Sequence, residues 1–255
     1  MKILLVAPDI SSKQENHNDF IYFSSLVNKP SKKQTGHKLG VLPLALPTLA
    51  ALTPPEFDVR IIDENIEDID FNAPVDIVGI TFLTCFARQG YELADRFRDA
   101  GVYVALGGVH VTMCPEEALQ HADTVFVGEA DDTWEVFLND FKRGRPRRLY
   151  KPEKRPDLTR LVIPRWDLVK NEHYRSNLVQ TSRGCYFDCD FCSVPRYVGP
   201  LRNKPVENDI KEIKATKNYG RVPGIHYVYF ADEEINVDKI NGDRQGFRLF
   251  RVYLL

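Results

Sequence analysis

Ile77-Val78-Gly79-Ile80-Thr81-Phe82, the helical pattern Arg88–Ala100 with Gly101 behind it, and Tyr103-Val104-Ala105-Leu106-Gly107-Gly108 together spell strand, helix, strand. Leu93, Phe97 and Ala100 recur at helical spacing, and Gly101 stands where a helix stops. The flanking runs are short, apolar and rich in Val and Ile, as strands are. Such alternation is the signature of a parallel sheet with crossover helices.

The same alternation continues on both sides. Lys2–Ala7, Asp58–Asp63 and Thr124–Val127 read as further strands. Leu44–Leu52 reads as a helix, Pro115–Gln120 as a short one opened by proline, and Asp131–Lys142 as one with acids in its first turn. The expectation is an α/β chain with a Rossmann-like (flavodoxin-like) parallel-sheet domain over residues 1–145. Ser11–Lys38 is polar with few periodic apolar positions and reads as a long surface excursion. Residues 142–160 are dense in Lys and Arg and contain Pro146, Pro152 and Pro156, so 146–176 reads as a basic, proline-containing linker. Residues 177–255 then form a second part.

The 255 residues are 43% hydrophobic, enough for substantial cores. A formal net charge of −2 gives no whole-chain attraction to nucleic acid or anionic membrane, and no apolar run approaches a membrane span. The opening Met1-Lys2-Ile3-Leu4-Leu5-Val6-Ala7 is too short and weakly flanked for a signal peptide, so a cytoplasmic protein with reduced thiols is expected.

Three of the five cysteines stand as C-x3-C-x2-C in Arg183-Gly184-Cys185-Tyr186-Phe187-Asp188-Cys189-Asp190-Phe191-Cys192. Three thiolates can hold a cubane iron–sulfur cluster while leaving one iron without a protein ligand, open to a small molecule that takes an electron. A structural zinc site wants four ligands; there is no second C-x2-C, and only His173 and His226 follow residue 121 as candidates for Cys3His. Cys85 and Cys114 read as ordinary buried thiols.

The cysteine run resembles the radical S-adenosylmethionine (radical SAM) superfamily, in which such a loop follows the first strand of a β/α barrel. Leu178-Val179-Gln180-Thr181-Ser182 matches that strand, and Phe191 matches the aromatic before the last cysteine. The resemblance implies a 4Fe-4S cluster on Cys185, Cys189 and Cys192, with Phe191 near the adenine of SAM. Asp232 and Glu233, after the strand His226–Phe230, would accept hydrogen bonds from SAM; acids at a helix N-terminus are the plain alternative.

Strand ends of the first domain carry Thr81 and Thr84, Gly107-Gly108-Val109-His110, and Gly128-Glu129. Open α/β sheets bind ligands at that edge. A dinucleotide site is poorly matched, because Gly107-Gly108 lacks the G-x-G-x-x-G spacing and no P-loop pattern is present. The segment instead resembles the cobalamin-binding domain that precedes the barrel in a large B12-dependent radical SAM family, on Gly79-Ile80-Thr81, Gly107-Gly108-Val109-His110, Pro115-Glu116-Glu117-Ala118-Leu119 and Val127-Gly128-Glu129-Ala130. Cobalamin would then contact Thr81, Thr84, Gly107, Gly108, His110, Gly128 and Glu129. No histidine lower ligand is expected, since Ile10, Ser11 and Ser12 follow Asp9 where D-x-H-x-x-G would place one.

The resemblance implies cleavage of SAM to a 5′-deoxyadenosyl radical and methyl transfer from cobalamin to an unactivated centre of a small-molecule or lipid-like substrate, with a flavodoxin or ferredoxin as electron donor. A barrel needs roughly 150–200 residues of repeated βα units. Only 78 run from Leu178 to Leu255, so a barrel truncated after its first units is expected. The alternative is an inactive cobalamin-binding carrier or sensor with a vestigial or partner-completed second part.

Overall fold

Lys2–Ala7 forms β1, whose alternate side chains enter two cores: Ile3, Leu5 and Ala7 on one face, Leu4 and Val6 on the other. Burying each such aliphatic side chain contributes about 1.5–3 kcal/mol, which is why an unbroken apolar run serves a strand covered on both sides. The structure, a computed structural model, describes residues 1–9, 42–160, 162–174, 177–216 and 228–233. The expected excursion Ser11–Lys38 lies outside the described residues.

After β1 come α1 (Ala45–Leu52), β2 (Asp58–Asp63), β3 (Ile77–Thr81), α2 (Ala87–Asp99), β4 (Tyr103–Gly107), α3 (Val109–Met113), α4 (Pro115–His121), β5 (Thr124–Phe126), α5 (Thr133–Lys142) and β6 (Leu149–Tyr150). The six strands pair in parallel in the order β2-β1-β3-β4-β5-β6. Strand order reverses between β1 and β3, so the C-terminal edge opens there into the crevice of a doubly wound sheet. Residues of α1 and α5 cover one face, those of α2 and α4 the other.

The basic connector is not a free tether. Leu149–Tyr150 adds the sixth strand, and the Tyr150 hydroxyl donates to Asp140 Oδ2 at 2.9 Å. Trp166, Tyr174 and Leu178 are buried in the same core as β1, and the Tyr174 hydroxyl donates to the buried Asp63 carboxylate at 2.6 Å.

The second part begins with β7 (Asn177–Val179) and β8 (Ser182–Arg183), continues through α6 (Val194–Tyr197), β9 (Arg202–Asn203) and α7 (Val206–Thr216), and reaches β10 (Val228–Phe230). β7 and β10 pair in parallel, with Ile213 of α7 packed on Val179, so the first unit of a β/α barrel is formed. β8 and β9 form a short antiparallel pair that closes the cysteine loop. The expected strand 178–182 is split at Gln180-Thr181, and Asn241–Leu255 lies outside the described residues.

Candidate functional site

A cavity of about 230 Å³ opens at the C-terminal edge of the sheet, where β1, β3, β4 and β5 end, and is closed from above by the second part. Its first-domain wall includes Thr81, Gly107, Gly108, Gly128 and Glu129, five of the seven residues expected at cobalamin. Arg183, Tyr197 and Glu233 face them from the other half. Leu44, just before α1, Leu49 and Leu52 of α1 and the buried Trp134 make one side apolar; Trp134 Nε1 is fixed by donating to Thr53 Oγ1 at 2.9 Å. Gly108 sits at φ +105, and a Cβ there would lie 2.7 Å from Thr81 Oγ1 and 2.9 Å from the Phe82 carbonyl. A side chain at this position would be both strained and obstructed.

Thr84 and His110 are not in the cavity lining. Val109–Met113 is helical, and its turn carries His110 to the face covered by α2 and α4. There the ring packs on Phe82 and Tyr91, and Nδ1 lies 3.3 Å from Thr84 Oγ1.

Glu129 is buried, and its carboxylate joins the two halves. Oε1 accepts from Arg183 Nη1 and Oε2 from Arg202 Nη2, both at 2.7 Å; Arg183 Nη1 also reaches Asp131 Oδ2 at 2.9 Å. Burial opposes the Arg183 charge, but Asp131 and Glu129 more than restore it and hold the guanidinium protonated beyond its usual range. Sequence reasoning missed this pairing; a basic residue immediately before Gly184-Cys185 and two acids in Gly128-Glu129-Ala130-Asp131 were its signal.

Asp232 and Glu233 act on the loop from below. Asp232 accepts from the Thr181 and Ser182 backbone N–H groups and from both hydroxyls, which ends β7 and starts β8. Burial raises its pKa, and these bonds oppose the rise. Glu233 reaches the cavity and also accepts from Gly184 N at 3.1 Å; burial again pushes its pKa up. Cys185 N donates to Gly199 O at 3.1 Å and Cys192 N to Cys189 O at 3.0 Å. Phe191 is 94% exposed, leaving its whole face to a ligand.

None of the five cysteines is in a disulfide. Among the described residues, the group of metal-ligating atoms that gathers within 4.8 Å is His110, Cys114 and Glu117, not the three loop cysteines. A cubane spreads its thiolates over separate irons, farther apart than the ligands of one ion. The loop sulfurs are thus not gathered as the ligands of a single ion would be.

Beneath the loop, α7 buries Asp209 and Glu212. Glu212 is paired with Lys204, but Asp209 Oδ1 has no hydrogen-bond partner. Burial, with help from the neighbouring carboxylates and against Lys204, raises Asp209 to about 7. An unfolded aspartate titrates near pH 3.9. The folded state therefore binds the extra proton, and the stability this gives is full below about pH 3.9 and lost as pH rises through about 7. Melting temperatures measured from pH 5 to 8 should fall more steeply for the wild type than for Asp209→Asn; parallel profiles would refute the assignment.

A doubly wound sheet with a cavity at its glycine-rich strand ends, and a C-x3-C-x2-C loop that starts just after Arg183 of the cavity wall, define a class, and the chain belongs to it: the radical SAM proteins that carry a B12-binding domain. It is 32% identical over 211 residues to bacteriochlorophyllide d C-8(2)-methyltransferase of Chlorobaculum tepidum, covering 77% of this chain and 46% of that protein. Identity to the C-12(1)-methyltransferase of the same organism is 31%, over 68% of this chain and 40% of that protein. Hopanoid C-2 methylase of Rhodopseudomonas palustris is 31% identical over 75% of this chain and 37% of its own length. The chain thus spans less than half the length of these relatives, and no protein-family profile matches it. No helix among the described residues is long and apolar enough to cross a membrane.

Proposed function

We propose that the chain is the cofactor-binding part of a cobalamin-dependent radical SAM methyltransferase of the cytoplasm, divided into a cobalamin domain (1–145), a connector (146–176) and a partial radical SAM domain (177–255). The observation that carries this is the single cavity shared by Gly107, Gly108 and Gly128 on one side and Arg183 and Glu233 on the other. This shared lining supports a reading in which the two cofactors approach one another there.

The residues fit the groups. Three thiols on one exposed loop suit a 4Fe-4S cluster with an open iron. The glycine floor and leucine wall suit the apolar face of a corrin. The cavity, below the ~300–1,000 Å³ of ordinary ligand pockets, would hold only part of so large a group. When bound, these cofactors supply the electron that splits the sulfonium of SAM and the methyl group for an unactivated centre.

The chain's own residues position and shield. Glu233 holds Gly184 and hence the start of the cysteine loop at the cavity wall, with Phe191 available to the adenine. Asp232, its oxygens engaged by Thr181 and Ser182, orients the turn rather than the ligand. Glu129, engaged by two arginines, keeps the halves in register. Leu44, Leu49, Leu52 and Trp134 exclude water from the cavity. The relatives named for bacteriochlorophyllide and hopanoid support a large apolar, lipid-like acceptor; a flavodoxin or ferredoxin would serve as reductant.

Anaerobic reconstitution of the full chain with iron and sulfide tests this. The expected result is about four irons per chain, a retained cobalamin spectrum and release of 5′-deoxyadenosine from SAM under reduction, with the iron lost in Cys189→Ser. Zinc in place of iron after anaerobic purification would overturn the cluster; cobalamin retained without SAM cleavage would leave a carrier or sensor.

A further inference from the structure

We propose that His110, Cys114 and Glu117 form a second metal site, for a zinc-like divalent ion, on the α2/α4 side of the sheet and apart from the cavity. Nitrogen, sulfur and carboxylate ligand atoms lie within 4.8 Å of one another, a donor set that zinc takes. His110 belongs to α3, Cys114 is the joint between α3 and α4, and Glu117 is in the first turn of α4. The bend at Cys114 between α3 and α4 brings the three side chains together.

Two further features point to an ion. The His110 ring is buried and oriented at both ends, Nδ1 on Thr84 Oγ1 at 3.3 Å and Nε2 toward Glu117 Oε1 at 3.4 Å. With Nδ1–H donating to the Thr84 hydroxyl, Nε2 keeps its lone pair for a metal. Tyr91, 7% exposed, has its hydroxyl beside Glu117 and Cys114, with Glu117 its nearest acceptor and no well-formed hydrogen bond made. A buried hydroxyl so poorly satisfied is costly. Water in the fourth position of a three-ligand ion would satisfy it. Glu117 is about half exposed, which gives the ion an entry path. The ion would tie α3 to α4 across the bend at Cys114 and so hold the chain leaving Gly108, at the rim of the cofactor cavity.

Cobalt is the probe, in the full chain carrying Cys185→Ser, Cys189→Ser and Cys192→Ser so that the loop takes no metal. About one Co²⁺ per chain should bind, with a thiolate-to-cobalt charge-transfer band and tetrahedral d–d bands that Zn²⁺ displaces. Adding Cys114→Ser should abolish the charge-transfer band. Thr84→Val, which removes only the bond to Nδ1, should weaken binding by about 10-fold. Zinc should raise the melting temperature of the parent and leave that of Cys114→Ser unchanged, which separates lost binding from lost folding. No stoichiometric binding, or a charge-transfer band that survives Cys114→Ser, would overturn the site.

Discussion

Glu129→Ala is expected to destabilise the protein by about 3–5 kcal/mol, the cost of leaving a buried charge without its partner. Arg202 bears most of it. Its remaining contacts are the Pro156 and Val198 carbonyls, and its Nε already lacks a partner. Arg183 keeps Asp131 and Gln180, yet it too loses a 2.7 Å bond inside the interface. An arginine cannot escape the penalty by releasing its proton. The interface must open to water instead, so the loss should show as separation of the second part from the sheet before the sheet itself unfolds. Glu129→Gln keeps the volume and one acceptor and should cost less. Denaturant unfolding of the three proteins checks this; a loss under about 1 kcal/mol for Glu129→Ala would place the pair among solvent-screened surface bridges instead.

Where a segment was legible in the sequence, one local pattern was sufficient to form it. β1 and β3 are unbroken apolar runs, and α2 has its stripe and its stop glycine, so those elements stand where the residues predict them. Leu149–Tyr150 was not legible. Two residues inside a run of Lys, Arg and Pro have no periodicity, and the strand exists through tertiary pairing: Val127 N donates to Tyr150 O at 2.9 Å, and Tyr150 stacks on Phe126. α3 was hidden for a related reason. Val109, Val111 and Thr112 are poor helix formers. The turn is held by Thr112 N donating to Gly108 O, and Thr112 Oγ1 accepts from Gly128 N at 2.9 Å, a residue of the next strand end.

The site divides in the same way. Thr81, Gly107, Gly108, Gly128 and Glu129 share a strand-end edge, and a parallel sheet brings such residues together whatever their sequence separation. His110 and Thr84 were read at that same edge, but the unforeseen helical turn carries His110 to the opposite face, where it meets Thr84. Asp232 was expected to accept hydrogen bonds from SAM, with a helix N-terminal acid as the plain alternative; its partners Thr181 and Ser182 are about fifty residues away, a distance that only the β7–β10 pairing closes. The Arg183–Glu129 pair spans a similar gap. Charge partners that meet through tertiary structure leave no periodic trace.

The cysteine loop depends on its glycine as much as on its thiols, and Gly184→Ala is expected to empty it of iron. Gly184 has φ +91, where a side chain costs about 1–2 kcal/mol. An added Cβ would also collide with the carbonyl oxygens of Gly199 and Pro200. These are backbone atoms of the returning arm, so the strain has no rotamer through which to relax, and forced overpacking adds about 1–3 kcal/mol. The Gly199 carbonyl is also the acceptor for Cys185 N, so moving the arm away breaks the bond that sets the first cysteine. Gly184 N–H, held by Glu233, prevents the loop from yielding in the other direction. The β8–β9 pair is only two residues long on each side and is separate from the six-stranded sheet. Damage should therefore stay local, in contrast to Glu129→Ala. After anaerobic reconstitution, Gly184→Ala should retain a small fraction of the wild-type iron while its far-ultraviolet circular dichroism and the melting of the main sheet stay close to wild type. Full iron loading of this variant would show that the loop's glycine geometry does not govern cluster binding.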